Sequence, residues 1–87
     1  MTDRTSVTFT VQALAEPGLL PRLLQPFAKR DIIPDRVAAE RQGEGMRVAI
    51  TLHAPDPGVL HLLAGNLGQV VGVLEVRQEV ARWAQAA

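Results

Sequence analysis

The 87-residue sequence has no cysteine and no tyrosine, and its only aromatic residues are Phe9, Phe27 and Trp83. Without cysteine there is neither a disulfide framework nor a thiolate metal site, as expected of a chain that works in a reducing compartment. The scarcity of aromatics removes the stacking platform that a sheet-based RNA binder needs, since Phe9 shares its side with Val7 and Val11 and Phe27 falls in a helical stripe. No sign of charge dominates. Nine basic residues balance nine acidic ones, so the basic excess that drives phosphate-backbone binding is missing and nucleic acid is not an expected partner. No apolar run approaches the roughly 18 residues of a membrane span, and the opening "MTDRTSV" lacks the apolar segment of a signal peptide. The expectation is a cytoplasmic protein with no membrane partner.

What is present is pattern. From Val7 to Ala13, apolar Val7, Phe9, Val11 and Ala13 alternate with Thr8, Thr10 and Gln12, the period of a strand with one buried face. After Glu16-Pro17-Gly18, residues Leu19, Leu20, Leu23, Leu24 and Phe27 recur at helical spacing. Pro21 suits the first turn of that helix, whereas Pro26 lacks an interior N–H and predicts a kink or an early stop. Residues 35–41 read as a short edge strand, 42–45 as a turn, and 46–52 as its hairpin partner, with Met46, Val48, Ile50 and Leu52 on one side. Asp56 is placed to cap a second helix that opens on Pro57 and buries Val59, Leu60, Leu63 and Leu67. Residues 70–80, rich in β-branched side chains, predict a fourth strand. The domain is expected over residues 1–79, with a C-terminal tail at 80–87.

Two right-handed βαβ crossovers in a chain of this length predict an α+β, ferredoxin-like βαββαβ sandwich: a four-stranded antiparallel sheet, strands one and three central, with both helices on one face. Val7, Phe9, Val11, Met46, Val48, Ile50 and Leu52 should pack beneath Leu20, Leu23, Phe27, Leu60, Leu63 and Leu67. So small a domain buries only roughly 60 to 65% of the surface of its unfolded chain, and a second chain would supplement the core.

The topology hosts many functions, so the residues must decide. Gly18 allows close backbone approach, and a helix N-terminus attracts anions, so the turn could hold a carboxylate. Equally, Pro17-Gly18 could only reverse the chain. His53 and His61 stand eight apart with no carboxylate at ligand spacing, which predicts no metal and no cofactor. Trp83 is read either as a docking anchor or as part of a frayed end.

The stretch "VQALAEPGLLPRLLQPFAKRD" resembles the strand-loop-helix opening of an ACT domain, in which Pro-Gly is followed by a leucine and, some nine residues after the glycine, by a phenylalanine. Gly18, Leu20 and Phe27 fill those places. The resemblance continues through "MRVAITL", and "NLGQVVGVLEV" is similar to the helix-to-strand segment of the small regulatory subunit of acetohydroxyacid synthase (acetolactate synthase). It covers about residues 6–79.

The resemblance implies a non-catalytic regulatory subunit of branched-chain amino-acid biosynthesis, or another amino-acid-binding module. It implies a homodimer closed through Ile32, Ile33, Val37 and Ala39, with the large catalytic subunit of the synthase as a partner. An amino-acid effector would lie against Ala15, Glu16, Gly18, Leu19 and Leu20 of one chain and Ile33 of the other. In valine-sensitive relatives an asparagine stands on each side of that site, where this sequence has Ala15 and Ile33, so weak or absent valine binding is expected. Two further readings compete: a stand-alone ACT-type sensor for another enzyme, and an acylphosphatase-like hydrolase. The latter rests on Arg22 lying four residues after Gly18, but this chain has one glycine in that loop where acylphosphatases have more, and "MRVAITL" has no asparagine to position water.

Overall fold

The computed structural model describes residues 2–53 and 55–85, with side chains from residues 5–53 and 55–82. The order is βαββαβ: β1 (Thr2–Leu14), α1 (Leu19–Lys29), β2 (Arg36–Gln42), β3 (Gly45–His53), α2 (Pro57–Gly68) and β4 (Val73–Gln85). The strands form one sheet in the order β2-β3-β1-β4, antiparallel at every pairing, with the two cleanest alternating runs in the middle. This is the ferredoxin-like arrangement.

Alternation fixes the faces. Phe9 pairs with Ile50, Val11 with Val48 and Val7 with Leu52, and all six side chains are buried with Leu19, Leu23, Phe27, Leu63 and Leu67. Phe9 and Phe27 meet edge to face, with ring centroids 6.4 Å apart and planes at 70°. The opposite face is polar: Thr8 and Thr51 are cross-strand partners whose hydroxyls lie 2.9 Å apart.

Several expectations are corrected. The buried stripe of α1 is Leu19-Leu23-Phe27, an i, i+4 row, so Leu20 is turned by one position and is only half-buried, as are Met46 and Leu60. The helix does not stop at Pro26 but runs three residues further. Pro26 and Phe27 are both buried, and that packing holds the last turn. The Phe27 carbonyl then accepts from the N–H groups of Arg30 and Ile32, and Asp31 takes φ 54° as the chain leaves the helix. Asp56 caps α2 as expected, its Oδ1 accepting from the Gly58 N–H at 3.1 Å.

The outer strands also differ. β1 begins at Thr2 and β4 ends at Gln85, so residues 80–85, expected as a tail, continue the strand through pairs such as Thr2↔Gln85 and Thr5↔Arg82. Backbone pairing needs no alternation of side chains, and the ends of the two segments supply each other's partners. β4 starts three residues later than expected, because Val70 to Gly72 form a turn in which Gly72 takes φ 95°. A register shift between Gln12 and Ala13 accommodates one extra β4 residue, Leu74, which is exposed. The Trp83 backbone pairs with Arg4, but the side-chain role considered for Trp83 lies outside the described residues.

Candidate functional site

The loop from Ala15 to Gly18 is held by its own backbone. The Leu14 N–H donates to the Gly72 carbonyl at 2.9 Å and the Ala15 N–H to the Glu44 carbonyl at 2.8 Å, which ties the loop to the β2–β3 hairpin on one side and to the entry of β4 on the other. The Leu19 N–H donates to the Glu16 carbonyl at 3.1 Å. Pro21, third in the helix, has no N–H to offer. Of the donors that open α1, the Leu20 N–H is left without a backbone acceptor among the described residues.

Arg22 explains the glycine. One turn into α1, its guanidinium folds back over Gly18 and lies 3.5 Å from the Glu16 carboxylate, while Nη1 donates to the Val71 carbonyl at 3.3 Å. A Cβ on Gly18 would lie 2.7 Å from Arg22 Nη2. Gly18 itself has φ −86° and ψ 0°, a conformation open to any residue. What glycine offers here is space beneath the Arg22 side chain and not backbone freedom. The pair is about two-fifths exposed on each side, so it positions the loop more than it stabilises the fold.

The loop and the hairpin enclose a depression of about 340 Å³ lined by Ala15, Glu16, Pro17, Arg41 and Met46. Arg41 and Met46 were not foreseen as lining residues. They face each other across the β2–β3 pairing, as the hairpin alone would place them, and it is the approach of that hairpin to the loop that brings them to the depression. The Arg41 Nε–H donates to the Gly43 carbonyl at 3.0 Å at the mouth of this hairpin.

The expected effector residues do not all converge within one chain. Ala15, Glu16, Gly18 and Leu20 lie at the loop end, and Leu19 beside them turns its side chain into the core, 1% exposed. Ile33 follows α1, so an 11-residue helix of about 16 Å separates it from the loop. Its side chain is 85% exposed. Val37 and Ala39 pair with Ile50 and Val48 and so share the helix-side face, but the helices stop short of β2 and every residue of that strand is exposed. The result is an edge strand with open backbone groups and an uncovered apolar side.

The remaining candidates separate. His53 ends β3, where its backbone N–H donates to the Asp35 carboxylate at 2.7 Å, and His61 is exposed on α2. Among the described residues no group of three His, Asp or Glu side chains converges. A phosphate cradle of the acylphosphatase kind needs converging loop amides and a free arginine, and here the Ala15 and Leu19 amides and Arg22 are engaged. On the open sheet face the Glu75 carboxylate accepts from the Arg77 Nε–H at 2.6 Å and pushes the guanidinium pKa up. No helix among the described residues is long and apolar enough to cross a membrane.

Comparison with known proteins agrees with this architecture. A family model described as an ACT-like domain matches residues 2–85. No curated protein matches the sequence. Among solved structures, the ACT domain from GTP pyrophosphokinase of Chlorobium tepidum is similar with a TM-score of 0.73 at 15% identity, over 90% of this chain and 100% of that one. The C-terminal domain of the MgtC protein from Mycobacterium tuberculosis gives 0.71 at 18%, over 95% and 94%. A homoserine dehydrogenase from Thiobacillus denitrificans gives 0.69 at 18%, over 86% of this chain and 17% of that one.

Proposed function

The chain belongs to the ACT-like domain family, and on that premise we propose that it is a non-catalytic regulatory subunit of branched-chain amino-acid biosynthesis. It pairs with itself and with the large catalytic subunit of acetohydroxyacid synthase. The observation that carries the reading is the placement of the effector loop at one end of α1 and of the exposed Ile33–Ala39 edge at the other. Two chains side by side about a two-fold axis would bring the loop of each to the Ile33 of its mate. The choice of synthase rests on the resemblance of "NLGQVVGVLEV" to its small subunit.

Valine binds weakly or not at all in this reading. Ala15 and Ile33 offer no side-chain hydrogen bond, and two missing bonds to charged ligand groups, at about 1.5 to 3 kcal/mol each, correspond to roughly a hundredfold loss of affinity or more. The engaged Ala15 and Leu19 amides add to this. Titration calorimetry with valine, leucine and isoleucine is the test, and micromolar affinity for any of them would refute it. Sedimentation tests the dimer: Ile33→Asp should shift it toward monomer without loss of fold, since Ile33 supports no core contact within its own chain.

A second reading, a sensor for a different enzyme, is favoured by the solved structures, where similar domains come from GTP pyrophosphokinase and homoserine dehydrogenase. Reconstitution decides between the two: addition of the purified protein should raise the activity of an isolated synthase large subunit, and no effect would favour the second.

A further inference from the structure

A formal charge of zero conceals an uneven distribution. From Pro17 to Arg30 there are three cations, Arg22, Lys29 and Arg30, and no acid; from Pro57 to Leu74 there is no Asp, Glu, Lys or Arg at all. The remainder of the chain holds six basic and nine acidic residues. The helical layer is thus positive and the sheet and its turns negative. Between α1 and α2 lies a groove of about 420 Å³ lined by Arg22, Gln25, Pro26, Lys29, Arg30, Asn66, Gln69 and Val70. Three cations and three carboxamides face it, and no carboxylate does.

A solvated helix surface does not account for this. Lys29 and Arg30 at the C-terminal end of α1 suit the helix dipole, but Arg22 stands in the first turn, the end that disfavours a cation. Among the described residues neither Lys29 nor Arg30 has a carboxylate within ion-pair distance. Arg22 shares one carboxylate, that of Glu16, and Arg30 Nη1 donates to the Pro26 carbonyl at 3.4 Å, which aims its guanidinium back along the helix. Carboxamide N–H groups from Gln25, Asn66 and Gln69 complement oxyanions.

We propose that the groove between α1 and α2 binds a small anion carrying two or more negative charges, a phosphoryl or polycarboxylate compound. Two cations beyond the partly neutralised Arg22 set the lower bound on its charge, and the cavity sets its size. The lining contains no aromatic residue, so it recognises the anionic group and offers no stacking surface for a base. This site is separate from the loop depression and does not depend on the dimer.

The test is a proton–nitrogen NMR titration of the whole chain with inorganic pyrophosphate, and separately with citrate, at constant ionic strength. Pyrophosphate should bind with a dissociation constant below about 1 mM and shift the side-chain amides of Gln25, Asn66 and Gln69. Lys29→Gln and Arg30→Gln should each weaken it about tenfold, the loss of one charge-assisted contact. Arg47→Gln should leave it within about twofold, because Arg47 lies on the face of the sheet away from the helices and salt screens its charge before it reaches the groove. Equal binding of citrate supports a charge-selective site, and its failure to bind supports a phosphoryl-selective one. Shifts scattered over the whole surface, equal weakening by Arg47→Gln, or binding only of a poly-glutamate peptide would each overturn the proposal.

Discussion

Gly18→Ala separates two explanations of the glycine that opens α1. If backbone freedom were the reason, alanine would be strained whatever surrounds it. The observed φ of −86° excludes that strain, and the obstacle is the Arg22 guanidinium, 2.7 Å from where a Cβ would lie. A long, part-exposed side chain can move. Its departure would forfeit a 3.5 Å ion pair and a 3.3 Å hydrogen bond, together worth about 0.5 to 1 kcal/mol at this exposure. Alanine restricts the unfolded chain, a gain of about 0.4 to 1 kcal/mol, which the preference for glycine over alanine at a helix N-cap largely cancels. Gly18→Ala should therefore cost about 1 kcal/mol in the natural chain and about zero in an Arg22→Ala background. Urea denaturation followed by circular dichroism on the four chains of the double-mutant cycle measures both. An equal cost in both backgrounds, or more than about 2 kcal/mol without Arg22, would refute the steric explanation.

Leu63→Ala, which empties a fully buried position of α2 over the sheet, should cost about 2 to 5 kcal/mol by the same denaturation assay. Asp56→Ala removes the acceptor of the Gly58 N–H and should cost about 0.5 to 2 kcal/mol, with Asp56→Ser recovering most of it. Gly72→Ala is strained at φ 95° whatever room is available, and should lower the melting temperature more than Gly65→Ala in the exposed middle of α2, which helix propensity makes stabilising.

The sheet was legible because alternation is a direct record of one buried face, and Val7 to Ala13 and Met46 to Leu52 carry it without interruption. Strand ends were not. Thr2 to Ser6 is polar throughout and Ala81 to Gln85 shows no alternation of apolar and polar residues, so only their mutual pairing reveals the strand. Helical spacing located α1 but left its rotation open, since Leu19 and Leu20 are equally apolar and the choice between them depends on where the sheet lies. The glycine of the loop could be found from its dipeptide, and Arg22 from its four-residue spacing. That the arginine covers the glycine required the fold, as did the approach of Arg41 and Met46 to the loop.

If the proposed effector site is used, the separation of Ala15 from Ile33 by the length of α1 ties its occupancy to assembly. A ligand that must touch both ends has no complete site on a lone chain, so it acts as a glue whose apparent affinity rises with protein concentration. Dilution would silence such a sensor even at constant ligand. A ligand in the groove between the helices would be indifferent to dilution, because α1 and α2 of one chain complete it.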